Sequence, residues 1–165
     1  KNLPIALKEP DNYSARANLM ADSSIACSGI PEYGKASTGW PCHAMEHELS
    51  AYYDITHGVG LAILTPRWMR YIVQKDPTCK ERFVKFAKNV MGLDGDDEDG
   101  LIQQSIDALE QFFKDCGIPS TLSELNITDE YFEEMAKHAN RNDRLANAYV
   151  PLSVEDIVNI YKNCL

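Results

Sequence analysis

The sequence lacks the patterns that would assign it to several common classes of protein. It has no apolar run of membrane-spanning length, no charged-then-apolar leader, and no C-x-x-C pair among its five cysteines. We therefore expect no transmembrane segment, no secretory signal and no disulfide framework. Reduced thiols of this kind favour a cytoplasmic location.

Basic residues are scarce as well. Sixteen lysines and arginines stand against 25 aspartates and glutamates, so the net charge is -9 at pH 7. Nucleic acids and anionic membrane surfaces are bound by basic faces, and we expect neither as a partner. At 165 residues and 44% hydrophobic content, the chain is long enough to bury a core as a single helical domain, 1–165.

Alternating strand patterns are missing, and apolar residues recur at helical spacing almost throughout. We therefore predict an all-α fold, a multi-helix bundle. No strand followed by a glycine-rich phosphate turn is recognisable. The predicted helices cover 11–26 with Asp11 as cap, 40–53, 59–64, 66–74, 77–91, 101–116, 128–140 and 157–165, with a break at 54–56. The last of them is started by the segment 153–156.

Histidine is rare, but three of the four histidines fall within fifteen residues: His43, His47 and His57. His43 and His47 are one helical turn apart and share a face. On a continuous helix His57 would lie about 21 Å from His43, whereas imidazole nitrogens must approach a shared metal to about 2.1 Å. A common metal site therefore requires the chain to turn back at 54–56, with His57 at the start of the next helix.

A catalytic metal usually needs a carboxylate or a further histidine besides two or three histidines. We expect Glu46 and Glu48 to point away from the face that His43 and His47 share. Asp22 and Asp54 then remain as possible carboxylate ligands.

Two other interpretations stay open at this point. The segment 43–47 reads H-x-x-E-H, the inverted zinc-peptidase signature, which predicts His43 and His47 on zinc and His57 far away. A non-enzymatic helical interaction module predicts no metal and histidines that point apart. Trp40 and Cys42, just before the motif, have two interpretations, a pocket-facing one and core packing, of which core packing is favoured.

The combination of H-x-x-x-H at 43–47, a ten-residue step to His57-Gly58, and Pro66 in register resembles the iron-containing alcohol dehydrogenase family. The resemblance is strongest to its butanol dehydrogenase-like, NAD(P)H-dependent aldehyde-reducing branch. It continues through 7–13, 16–18, 112–119 and 153–157, and so covers nearly the whole chain.

The resemblance implies that His43 and His57 are two of four ligands to Fe²⁺ or Zn²⁺. His47 is implied to lie beside the substrate pocket as a catalytic residue that relays a proton. The other two ligands and the NAD(P)H site are expected in an N-terminal nucleotide-binding domain that this chain, which starts at Lys1 without a methionine, does not contain. The intact enzyme is expected to be a homodimer that transfers a hydride between NAD(P)H and a small aldehyde or alcohol. The 165-residue chain alone is expected to be inactive.

Overall fold

The computed structural model describes residues 1–35 and 39–165, and the chain divides into two compact units, Lys1–Ser37 and Thr38–Leu165. Neither described range contains a strand, so the prediction of an all-α fold is confirmed. Each unit is built from helices that pack on their neighbours in sequence and in space.

The first unit contains α1 (Asn2–Lys8) and α2 (Tyr13–Cys27), which pack against each other, and a short 3-10 helix, Ile30–Glu32. Asn12 caps α2, because its side-chain oxygen accepts the N–H of Ala15 at 3.0 Å. The sequence had suggested a cap at Asp11, one residue too early. Apart from Ala15, the described side chains of this unit are not buried.

In the second unit the described residues form six longer helices. These are α3 (Pro41–Tyr53), α4 (His57–Lys75), α5 (Lys80–Asn89), α6 (Glu98–Asp115), α7 (Phe132–Ala139) and α8 (Val154–Lys162). Short 3-10 helices lie at Pro77–Cys79, Ser123–Leu125 and Arg141–Asp143. The last helix starts where the sequence predicts, with Ser153 as its N-cap.

Helix α4 is central to the second unit, because it packs on α3, α6 and α8. Helix α3 also packs on α7, α5 on α6, and α7 on α8. Ile63, Leu64 and Ile72 of α4 are almost completely buried, and each such side chain stabilises the fold by about 1.5–3 kcal/mol. These contacts hold the first turn of α4 against α3, where the three histidines lie.

The prediction of two helices, 59–64 and 66–74, is wrong. Pro66 is buried inside the single helix α4, although an interior proline removes a backbone hydrogen bond and costs about 3 kcal/mol. Burial on both sides of the proline, including Leu64 before it and Ile72 after it, offsets that cost. No helix in the described ranges is both long and apolar enough to cross a membrane.

Candidate metal centre

The histidines are brought together by a sharp turn between α3 and α4. Helix α3 ends at Tyr53, and Asp54 adopts the left-handed conformation, with φ 52° and ψ 37°. Thr56 is extended and precedes the first residue of α4, which is His57. The predicted reversal at 54–56, with His57 at the start of the next helix, is therefore what the structure contains.

The three imidazole rings converge at this junction. The ring centroids of His43 and His57 are 5.2 Å apart, those of His47 and His57 5.4 Å, and those of His43 and His47 6.2 Å. His47 and His57 are exposed and His43 is partly buried. The rings therefore form one imidazole-rich patch, open on one side, contributed by two successive helices.

Glu46 belongs to the same cluster, which the sequence analysis did not expect. Its carboxylate contacts Nδ1 of His57 directly, and ligand atoms of Glu46, His47 and His57 all lie within 4.8 Å of one another. Glu46 follows His43 by three residues and so lies on a neighbouring part of the same helix surface. Helix α4 covers that part, so the carboxylate points into the α3–α4 junction. Glu48 does point elsewhere, with Oε2 3.5 Å from Nδ1 of His138 on α7.

The Glu46 side chain is accommodated by the hydroxyl of Ser50 and by the lack of a side chain at Gly60. Ser50, one turn further along α3, donates its hydroxyl to Oε1 of Glu46 at 2.6 Å. A Cβ atom at Gly60 would lie only 2.7 Å from both Cγ and Oε1 of Glu46. The signal that could have predicted this site is an acidic residue between buried apolar positions of α3, combined with a glycine one turn after His57.

The electrostatics of the patch favour a neutral imidazole at His43. Burial lowers the pKa of His43, and the neighbouring His57 and His47 lower it further, against an opposing effect of Glu46. A neutral imidazole has the free lone pair that a metal needs. Nitrogen donors from histidine with a carboxylate nearby form a donor set that suits divalent iron or zinc. The residues present therefore fit such a metal.

Trp40, the residue before α3, and Cys42, in its first turn, have different environments. Cys42 packs against the hydrophobic core, as expected. Trp40 does not, because it is 49% exposed and its ring meets that of His43 edge-on at 4.9 Å. It also holds the left-handed conformation, with φ 52°, which is unusual for a bulky side chain. The assignment of Trp40 to core packing is therefore wrong.

The geometry removes both alternative interpretations. A zinc peptidase of the H-x-x-E-H type would keep His57 far from the motif, yet its ring lies beside those of His43 and His47. An interaction module would have histidines that point apart. The junction instead brings three imidazoles and a carboxylate together on a helical domain.

Comparison with known proteins assigns that domain to a family. The family model described as "Fe-containing alcohol dehydrogenase family, C-terminal" matches residues 1–165, and the chain belongs to this family. It is 47% identical over 160 residues to NADH-dependent butanol dehydrogenase A of Clostridium acetobutylicum, a match that covers 96% of this chain and 40% of that protein. It is 32% identical over 124 residues to the NADPH-dependent aldehyde reductase YqhD of Escherichia coli, covering 75% of this chain and 31% of the reductase.

The fold agrees with a solved structure of the same family. The crystal structure of NADH-dependent butanol dehydrogenase A from Thermotoga maritima matches with a TM-score of 0.84 and 34% identity, over 98% of this chain and 42% of that one. The chain thus spans about 40% of the length of the butanol dehydrogenases it matches. The predicted family and fold are confirmed.

Proposed function

We propose that this chain supplies the metal- and substrate-binding part of an NAD(P)H-dependent alcohol dehydrogenase that interconverts a small aldehyde and its alcohol. The observation that carries the proposal is the convergence of His43, His47 and His57 on one open patch at the α3–α4 junction. The names of the relatives, butanol dehydrogenases and an aldehyde reductase, support this class of substrate.

In the proposed site His43 and His57 donate imidazole nitrogens to a divalent iron or zinc ion. The metal, when bound, supplies a Lewis acid at the carbonyl oxygen of the substrate. A bound NAD(P)H would supply a hydride for the carbonyl carbon, and His47 would give a proton to the oxygen, so that the products would be the alcohol and NAD(P)⁺. The exposed ring of His47, 5.4 Å from that of His57, supports this role.

The remaining parts of the enzyme are proposed to lie outside this sequence. We expect the nucleotide-binding domain and the two further metal ligands in a preceding part of the protein, and the 165-residue chain alone to be inactive. The coverage of about 40% of the related dehydrogenases supports this division. We also propose a homodimeric enzyme and a cytoplasmic location, the latter supported by five free thiols.

A chimeric enzyme tests the proposal. This chain would replace the matching region of the Clostridium acetobutylicum butanol dehydrogenase A, which supplies the rest of the protein. We expect NADH-dependent reduction of butanal that a chelator abolishes and added Fe²⁺ or Zn²⁺ restores. A folded, metal-loaded chimera that does not oxidise NADH with butanal would contradict the proposal.

The role of His47 is tested in the same chimera. His47→Ala should lower turnover by about 10²–10⁴-fold, the usual contribution of general acid–base catalysis, while the metal content stays stoichiometric. His138→Ala is the matched control, because His138 lies on α7 and pairs with Glu48. Loss of the metal in His47→Ala would instead make His47 a ligand.

A further inference from the structure

Glu46 is an unusual residue for the place it occupies. It is completely buried, whereas the side chain of its neighbour His57 is 46% exposed. Among the described residues its carboxylate contacts Nδ1 of His57, and no lysine or arginine pairs with it. A buried carboxylate costs several kcal/mol of desolvation that pairing only partly recovers. We therefore look for a functional role of Glu46 rather than a stabilising one.

We propose that Glu46 is a positioning residue for the metal centre. Its Oε2 accepts the Nδ1–H of His57, which fixes the ring orientation and the tautomer and leaves Nε2 as the metal-binding atom. Metal-bound histidines commonly donate their other ring N–H to a carboxylate in this way, and the partner also raises the basicity of the ligand. The inference rests on the proposed function in one respect, that His57 is a metal ligand.

The surroundings of the carboxylate hold it in one place. The hydroxyl of Ser50 lies 2.6 Å from Oε1 of Glu46 and 3.1 Å from the carbonyl oxygen of Ile55. Ile55 is in the turn that carries His57, so the same hydroxyl links the acid to that turn. Gly60 confines the carboxylate from the side of α4. The position of Glu46 is thus defined by contacts from α3, the turn and α4.

The contact itself can be tested without metal. In the 165-residue chain, labelled with ¹⁵N-histidine and stripped of metal, nitrogen chemical shifts report which ring nitrogen of His57 carries the proton. We expect the Nδ1–H tautomer in the wild type. In Glu46→Ala we expect a shift toward the Nε2–H tautomer that free histidine prefers. A wild-type His57 protonated at Nε2 would overturn the proposal.

The consequence for the metal is tested by zinc affinity in the chimera, measured by competition with a chelator. Glu46→Ala should weaken zinc binding by about 10–100-fold, as loss of such a partner typically does. Glu46→Gln should recover part of the loss, because an amide oxygen can still accept from Nδ1–H. Glu48→Gln is the matched control on the same helix and should bind zinc as the wild type does, because Glu48 faces His138.

Gly60→Ala provides an independent perturbation that changes no imidazole and no carboxylate. The new methyl group would overlap the Glu46 side chain, so we expect weaker zinc binding and the same loss of the Nδ1–H tautomer. If circular dichroism shows that Glu46→Ala does not fold, the zinc affinity and the His57 tautomer of Glu46→Gln and Gly60→Ala test the positioning role.

Failure of this inference can be told from failure of the proposed function. Equal zinc affinity and an unchanged His57 tautomer in wild type, Glu46→Ala and Gly60→Ala would overturn the positioning role while the metal centre stands. A wild-type chimera that binds no zinc would overturn the metal centre itself. The tautomer of His57 in the metal-free chain would then still decide whether Glu46 positions the ring.

Discussion

Two buried carboxylates, Glu46 and Asp156, contact the first and the last turns of α4, a 19-residue helix whose ends are about 27 Å apart, and their partners differ. Asp156, at the start of α8, accepts from Lys75, from the hydroxyl of Tyr71 at 2.7 Å and from the backbone N–H of Ser153 at 2.7 Å. Glu46 accepts from one hydroxyl and contacts an imidazole beside an exposed patch. Asp156 thus pairs with a lysine and takes part in a helix cap, whereas Glu46 does neither.

The pKa of Asp156 shows what a structural carboxylate looks like. Burial alone would raise this pKa, but hydrogen bonds from Lys75, Ser153 and Tyr71 outweigh burial and lower it to about 2. Ser153 and Asp156 also form a reciprocal capping box at the first turn of α8. The charge of Asp156 thus stabilises the fold, whereas the proposed role of Glu46 is to hold the imidazole of His57. The comparison predicts that mutations at the two ends of α4 have separable effects.

The largest effect is expected from His57→Ala in the chimera. Loss of a ligand should remove the several kcal/mol that a metal contributes to transition-state stabilisation, which corresponds to a fall in kcat of about 10³-fold or more. The metal content should fall as well, and the free energy of unfolding of the metal-free protein should also fall, because the buried carboxylate of Glu46 loses its partner. Steady-state kinetics, metal analysis and urea denaturation measure the three quantities. Full retention of metal in His57→Ala would contradict the assignment of the metal site to this end of α4.

Asp156→Asn should lower the free energy of unfolding and leave zinc binding unchanged. The pKa of about 2 in the folded chain lies below the unfolded value of about 3.9, so the ionised carboxylate stabilises the fold. The stabilisation is complete above pH 4 and is lost as the pH falls toward 2. We expect a loss of about 1–2 kcal/mol in unfolding free energy at pH 7, which shrinks between pH 4 and pH 2.

Urea denaturation at several pH values measures this difference, and the zinc affinity of the chimera serves as the control. Zinc binding should be unchanged, because Lys75 and the α8 cap are remote from His57. A difference in stability that persists in full at pH 2 would contradict stabilisation by the ionised carboxylate. A loss of zinc affinity would show that the two ends of α4 are not independent.

The smallest effect is expected at Tyr161, which connects the two regions. This buried residue of α8 donates its hydroxyl to the carbonyl oxygen of Met45, the residue before Glu46, at 2.7 Å. Tyr161→Phe should lower the unfolding free energy by about 1 kcal/mol, the usual net value of one hydrogen bond. Zinc affinity measured alongside should stay within twofold, and a larger change would mean that α8 helps to place Glu46.

The turn that forms the site could be predicted from the sequence, because its causes are local. Asp54, Thr56 and Gly58 disfavour a continuous helix between the histidines, and the geometry of metal binding required a reversal there. The bounds of α3 agreed with the prediction because Pro41 is well suited to a first helical turn. Local chemistry was therefore sufficient to bring His43 and His57 together.

The features that sequence analysis missed depend on packing. Pro66 normally starts or ends a helix, and it is tolerated inside α4 because apolar residues on both sides are buried in the same core. The direction of Glu46 depends on which face of α3 is covered by α4, which no spacing within α3 reveals. Trp40 is a large apolar residue that sequence alone assigns to the core, but its left-handed backbone turns it toward His43.

The close approach at Gly60 has a consequence for how the α3–α4 junction can vary. Because a single methyl group there would overlap the acid on α3, positions 46 and 60 behave as a coupled pair. A larger residue at 60 requires the Glu46 side chain to shift from its place beside His57 or to be replaced by a shorter one. An engineered variant with a larger residue at 60 would also need a substitution at 46. Natural variants should keep Glu46 and Gly60 together or lose them together.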